Sequence, residues 1–297
     1  MDYTLNCNGR LLSLEEPRVM GILNATPDSF YAASRQQMEQ AIVTRVEEIL
    51  PQGGAIIDVG ACSTRPGGNM VSEQEEQQRL RQALTVVRRE APEAVVSIDT
   101  FRPDVARMAV EEFGADMIND VGIGMADMGK PSERTSQRDM WRMVSRLGVP
   151  YIYMSRQATM SDILMDCAEV VDQLRSMGQK DIILDPGLGF GKTQPKLTAD
   201  HADVGENYAV MNELDRMQML HLPILVGVSR KSMIYKLLGT TPETALNGTT
   251  VLNTLALMKG ASILRVHDVR EAVECVRLVA ATLSQHTETV KCQIENC

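Results

Sequence analysis

Acids, amides and cations recur along this chain where apolar runs stop, and those residue types suit binding and ionisation better than covalent catalysis. The run Val19-Met20-Gly21-Ile22-Leu23 ends in Asn24 and passes into Ala25-Thr26-Pro27-Asp28-Ser29-Phe30. An Asn amide and an Asp carboxylate delivered by a buried parallel strand can hold a hard cation, a phosphate network or a polar heterocycle. Three more runs end alike, in Ser97-Ile98-Asp99-Thr100, Ile118-Asn119-Asp120 and Leu184-Asp185-Pro186-Gly187. Buried carboxylates are costly unless they find donors. Asp99, Asn119 and Asp185 converging at one mouth would accept hydrogen bonds from a ring bearing amino and imino N–H groups.

Cations follow at other run ends. After Asp58-Val59-Gly60 comes Ala61-Cys62-Ser63-Thr64-Arg65-Pro66-Gly67-Gly68, a small-residue loop suited to moving over an anion. In Gly227-Val228-Ser229-Arg230-Lys231-Ser232 the spacing predicts Ser229 at a helix N-terminus, which favours a carboxylate or phosphate. Lys231 would add a point charge there. In Arg265-Val266-His267-Asp268 strand alternation turns Arg265 and His267 the same way, a cation and an imidazole suited to pyrophosphate.

Other chemistries are excluded by spacing. Gly187-Leu188-Gly189-Phe190-Gly191-Lys192-Thr193 imitates a phosphate loop, but its first glycine would fall on Pro186. The dinucleotide pattern fails at Lys192. These glycines are expected to allow a tight turn and close approach of a ligand. Neither H-E-x-x-H, G-x-S-x-G nor zinc spacing occurs.

The elements that must carry these residues alternate from end to end. Strands are predicted at Val19–Leu23, Ala55–Val59, Val95–Ile98, Met117–Ile118, Tyr151–Met154, Ile182–Leu184, Ile224–Val226 and Ile263–Val266. Helical periodicity fills the intervals at Met38–Leu50, Glu73–Arg89, Pro103–Phe113, Arg138–Leu147, Asp162–Met177, Glu206–Met219, Ser232–Leu238 with Pro242–Lys259, and Val269–Leu283. This order predicts an α/β fold, a single (β/α)8 TIM barrel with a short N-terminal extension. A doubly wound open sheet is the alternative. The expected division is an extension or hairpin beneath the barrel at 1–16, the barrel at 17–284, and a fraying tail at 285–297.

Composition narrows the class. Of 297 residues, 44% are hydrophobic and only 4% aromatic, so aliphatic side chains and Met must fill the core. A net charge of −9 argues against a general nucleic-acid surface while leaving room for a local anion site. Six scattered cysteines are expected as free thiols. No apolar run approaches the ~20 residues of a membrane span, so a cytoplasmic protein is expected.

Taken in order, these motifs resemble the dihydropteroate synthases of the bacterial folate pathway, a pterin-binding TIM-barrel family. The resemblance runs from about residue 17 to 283. It implies condensation of 6-hydroxymethyl-7,8-dihydropterin diphosphate with p-aminobenzoate, releasing pyrophosphate and 7,8-dihydropteroate by a dissociative substitution. It implies that Asp99, Asn119, Asp185 and Lys231 hold the pterin. Asn24 would bind Mg²⁺ with the pyrophosphate, and Arg65, Arg265 and His267 would surround the phosphates. Phe30, Thr64, Pro66 and Ser229 would contact p-aminobenzoate. A homodimer and inhibition by sulfonamides are further implications.

The chain departs from the family in places. Members often continue Pro-Asp-Ser-Phe with x-Asp-Gly-Gly, where this chain has Tyr31-Ala32-Ala33-Ser34 and so lacks an acid to meet Arg65. The common Met-His-Met is replaced by Met154-Ser155-Arg156. Gly122–Gln137 and Thr193–Glu206 are unusual connections. A non-catalytic pterin-binding paralogue, and a pterin-dependent methyltransferase, remain the competing readings at this point.

Overall fold

A computed structural model describes residues 3–25, 32–62, 71–121, 137–190 and 202–295. An antiparallel hairpin, β1 (Thr4–Cys7) and β2 (Arg10–Ser13), comes first. Eight parallel strands follow, each leading into helix. They are β3 (Arg18–Asn24), β4 (Ile56–Gly60), β5 (Val95–Asp99), β6 (Met117–Asp120), β7 (Tyr151–Met154), β8 (Ile182–Asp185), β9 (Leu225–Val226) and β10 (Ile263–Val266). The helices are α1 (Ala32–Ile49), α2 (Glu73–Glu90), α3 (Pro103–Phe113), α4 (Gln137–Leu147), α5 (Met160–Ser176), α6 (Ala202–Asn212), α7 (Ser232–Leu237), α8 (Leu246–Met258) and α9 (Val269–Glu295).

The sheet runs β8-β7-β6-β5-β4-β3-β10-β9 and is closed by a parallel bridge between Leu184 and Ile224. Leu184 N–H donates to Pro223 O at 2.9 Å across that seam. Closure makes the fold a (β/α)8 barrel and removes the open-sheet alternative.

Alternation along the strands sorts side chains into two cores. Val19, Ile57, Val59, Ile98, Tyr151, Leu184, Leu264 and Val266 face outward under the helices. Met20, Ile56, Met117, Ile152, Ile183, Leu225 and Ile263 point inward and form an apolar floor. Leu5, Cys7 and Leu14, from the hairpin and the residue after it, pack on the same floor, so the N-terminal segment stoppers the barrel from below. Because strand side chains repeat every two residues, the next inward layer holds Asp58, Asn119, Asp185 and Arg265. The floor thus fixes the height of the polar layer.

Local differences from the sequence reading have local causes. α1 starts at Ala32, six residues before the predicted Met38, because Ala-Ala-Ser lacks the helix-breaking glycines of the related motif. The predicted helix 206–219 is divided into α6 and a 3₁₀ segment, Leu214–Leu220. Glu213 N–H is shared there between Ala209 O and Val210 O, the bifurcation that tightens a helix end. The stretch 242–259 is likewise a 3₁₀ turn, Pro242–Thr244, followed by α8. The expected frayed tail is instead helical through Glu295, since neither Gly nor Pro follows Leu283.

Candidate functional site

The centre of the polar layer is a hydrogen-bonded charge cluster drawn from four strands, β4, β5, β6 and β10. Arg265 Nε donates to Asp58 Oδ2 at 2.6 Å, and its Nη2 donates to Asp99 Oδ2 at 2.6 Å. Asn119 Nδ2 donates to the same Asp58 oxygen at 3.1 Å. Gly60 stands beside Asp99 in the ladder, where a Cβ would meet Asp99 Cβ at 3.4 Å, an ordinary contact. Burial pushes the Asp99 carboxyl up to about 7, against the pull of Arg265 and reinforced by Asp58. Burial works against the charge on Arg265, but the two carboxylates more than restore it.

Three acceptors in this cluster, Asp58 Oδ1, Asp99 Oδ1 and Asn119 Oδ1, are buried without a hydrogen-bond partner. Native interiors seldom leave such oxygens unmatched. Unpartnered acceptors grouped above an apolar floor are the chemistry that suits a flat heterocycle offering several N–H groups.

The wall next to the cluster comes from β8. Asp185 Oδ1 accepts from Gly187 N–H at 2.7 Å, which folds the turn back under its own carboxylate. Gly187 has φ +68°, and a Cβ there would lie 2.4 Å from Ser155 O. Gly189, at φ +77°, would place a Cβ 2.3 Å from Lys231 Cδ. These two glycines permit close approach of Ser155 and Lys231. Lys231 Nζ donates to Leu188 O at 2.6 Å and sits 3.8 Å from the Phe190 ring centre. A carbonyl and an aromatic face hold the ammonium at the mouth.

The neighbouring wall joins β10 to the turn after β9. Ser229 Oγ accepts from His267 N–H at 3.2 Å. α7 begins only at Ser232 with Lys231 as its N-cap, so Ser229 lies before the helix instead of at its N-terminus. Arg230, at φ +54°, turns outward and grips both Asp268 oxygens, at 2.8 and 2.7 Å. It shapes the Ser229–Lys231 turn and does not face the cluster. Asn24 is exposed at the end of β3.

Below the rim, Glu76 is buried against Arg102 and accepts from Thr100 Oγ1 at 2.7 Å. Arg102 also donates to Val71 O at 2.7 Å. This pair braces the chain just beyond β5, where it leaves Asp99.

The structure thus brings Asp99, Asn119, Asp185, Lys231, Ser229, Arg265 and His267 to one end of the barrel with Asn24 at its rim. Phe30, Thr64, Arg65 and Pro66 lie outside the described residues, as do most of the two unusual connections. Asp58 was missed as a site residue. Its signal was an acid inside the wholly apolar Ile56-Ile57-Asp58-Val59, two positions above a floor residue.

For a metal, the donor set is thin. Among the described residues no three His, Cys, Asp or Glu side chains cluster as a cation cage. The amide oxygen of Asn24 suits a Mg²⁺ whose shell is otherwise completed by substrate phosphates and water.

Comparison with known proteins agrees with this geometry. The family described as pterin binding enzyme matches residues 20–267. A dihydropteroate synthase of Clostridium beijerinckii is 38% identical over 266 residues, 86% of this chain and 91% of that one. The solved dihydropteroate synthase of Xanthomonas albilineans with 4-aminobenzoic acid superposes with a TM-score of 0.78 at 32% identity, covering 95% of this chain and 99% of that one. That of Yersinia pestis with a sulfonamide drug gives 0.77 at 31% identity, covering 95% and 100%.

Proposed function

Because the chain belongs to the pterin-binding enzyme family, and to the dihydropteroate synthases within it, we propose how its residues divide the work of that reaction. The enzyme joins 6-hydroxymethyl-7,8-dihydropterin diphosphate to p-aminobenzoate in folate synthesis. The bond between the pterin methylene carbon and the diphosphate oxygen breaks. A new bond forms from that carbon to the arylamine nitrogen, which loses one proton.

The observation that carries the assignment is the set of partnerless buried acceptors on Asp58, Asp99 and Asn119. With Asp185 they receive the amino and ring N–H groups of the pterin, and Lys231 covers its edge. Acceptors fixed around the ring also stabilise positive charge developing on it, which favours departure of pyrophosphate before the amine attacks. Arg265, bonded to two of the ring acceptors, would meet the phosphate end together with His267, two residues further on. Asn24 would hold Mg²⁺ on the diphosphate, where the ion would neutralise leaving-group charge. Ser229, whose oxygen is engaged by His267 N–H, keeps its own proton to donate to the p-aminobenzoate carboxylate. Sulfonamides, sharing the shape of p-aminobenzoate, compete there.

We further propose that two copies pair through the late helices. Val251, Leu255 and Met258 form an exposed i, i+4, i+7 stripe on α8, with Leu278 exposed on adjacent α9. Analytical ultracentrifugation tests this. No helix among the described residues is long and apolar enough to cross a membrane, in keeping with a cytoplasmic setting.

Purified protein with both substrates and Mg²⁺ is expected to release pyrophosphate. Asp185→Asn keeps an oxygen for Gly187 N–H, so it should retain the fold while losing pterin affinity. Tight pterin binding without pyrophosphate release would instead support a non-catalytic paralogue.

A further inference from the structure

The parallel ladder between β10 and β3 stops at Val266 and Gly21, whereas β3 continues to Asn24 paired only with β4. Arg18 N–H donates to Ser262 O on the β10 side, and alternation turns the carbonyl of Ile22 the same way. At that height β10 has already become a turn. Arg45 of α1 spans the interval. Its Nε donates to Ile22 O at 3.0 Å and its Nη2 to His267 O at 2.6 Å. Its Nη1 reaches Glu48 at 2.9 Å, and the side chain is only 22% exposed.

His267 is therefore held at both ends of its backbone, by Ser229 Oγ on the N–H and by Arg45 on the carbonyl. We propose that Arg45 is a positioning residue for the diphosphate end of the substrate. It fixes the separation between the strand that presents Asn24 and the turn that presents His267. A guanidinium suits this task because its planar fork serves two carbonyls at once, which a lysine ammonium cannot do in the same geometry. Arg45 acts through those residues and contributes no group of its own to the reaction.

The inference rests on the assignment of Asn24 and His267 to the diphosphate. Its test is calorimetric titration, with Mg²⁺, of the pterin diphosphate and of the unphosphorylated hydroxymethyl pterin. The wild type, Arg45→Met, Arg45→Lys and Glu48→Gln are compared. Arg45→Met should weaken diphosphate binding about tenfold or more while leaving the alcohol within about twofold, the scale set by loss of an orienting partner. Arg45→Lys should recover part of the loss, and Glu48→Gln should change neither ligand. Should Arg45→Met fail to fold, the selective loss is read from Arg45→Lys, which keeps one carbonyl bond.

Equal weakening of both ligands, or none, overturns the proposal. So does a loss in Glu48→Gln as large as that in Arg45→Met. A wild type that binds both pterins alike removes the diphosphate assignment and the proposal with it. A wild type that discriminates, beside an Arg45→Met that discriminates equally, removes the proposal alone.

Discussion

Arg265 Nη2 donates to Asp99 Oδ2 at 2.6 Å across the barrel, so a cation from the last strand neutralises an acid from the third barrel strand. With Asp58 on the same guanidinium, the cluster holds two carboxylates and one cation. Replacing Arg265 by Met strands both acids in the interior. The expected destabilisation is ~3–5 kcal/mol, the usual cost of breaking a buried pair from one side. Urea unfolding measures it. A midpoint unchanged from wild type would show that water already screens the cluster.

Asp99 gives two pH effects of opposite sign. Its carboxyl is raised from an ordinary 3.8 to about 7 in the folded protein, by burial against the pull of Arg265. The folded state thus holds its proton more tightly than the unfolded chain, and that contribution is complete below the ordinary value. It is lost progressively as pH rises through 7. Pterin binding follows the other direction, since only the ionised carboxylate accepts from N–H groups with both oxygens. Asp99→Asn should flatten the fall in urea midpoint between pH 4 and 7 and remove the rise of pterin affinity near neutrality. Persistence of both slopes in the variant would assign them elsewhere.

Gly189 and Lys231 should behave as one unit. An alanine at 189 would collide with the Lys231 stem and sit at a φ of +77°. Gly189→Ala is expected to cost ~1 kcal/mol or more from the backbone alone. It should also reproduce much of the pterin-affinity loss of Lys231→Ala, and the double variant should add little to either. Fluorescence titration with pterin decides; additive losses would mean that the two residues act separately.

Ser229→Ala removes the acceptor for the half-buried His267 N–H, a loss of about 1 kcal/mol, the ordinary net worth of one hydrogen bond. Steady-state kinetics should show the Michaelis constant for p-aminobenzoate rising about tenfold, with that for pterin diphosphate changing less. Ser229→Thr, which keeps the hydroxyl, should restore most of the difference. A selective effect on the pterin substrate would move Ser229 to the other half of the site.

Much of this architecture was legible because burial and backbone period leave direct traces in residue order. All eight barrel strands stand where short apolar runs predicted them, and Asn24, Asp99 and Asp185 mark the last residues of three strands. What escaped depends on contacts between distant segments. The partners of Arg265 are 207 and 166 residues away in sequence, and no local pattern joins them. Asp58 carries no strand-end mark, since its carboxylate belongs to the layer above Ile56. Arg45 reads as one more cation on an amphipathic helix until the end of the β3–β10 ladder is located. The helix itself starts at Ser232 as its periodicity predicts, but Ser229 does not reach its terminus, because the left-handed Arg230 turns the chain between them.

The hairpin seated on Met20, Ile56 and Ile183 has a kinetic corollary. A barrel stoppered below is a cul-de-sac, with one doorway serving arrivals and departures alike. On the proposed assignment the pterin destined for the deep acceptors must enter first, and p-aminobenzoate docking beside Ser229 then blocks its retreat. Turnover in such a vessel is ordered by geometry: the deeper substrate leads, its partner follows, and the joined product backs out through the same opening.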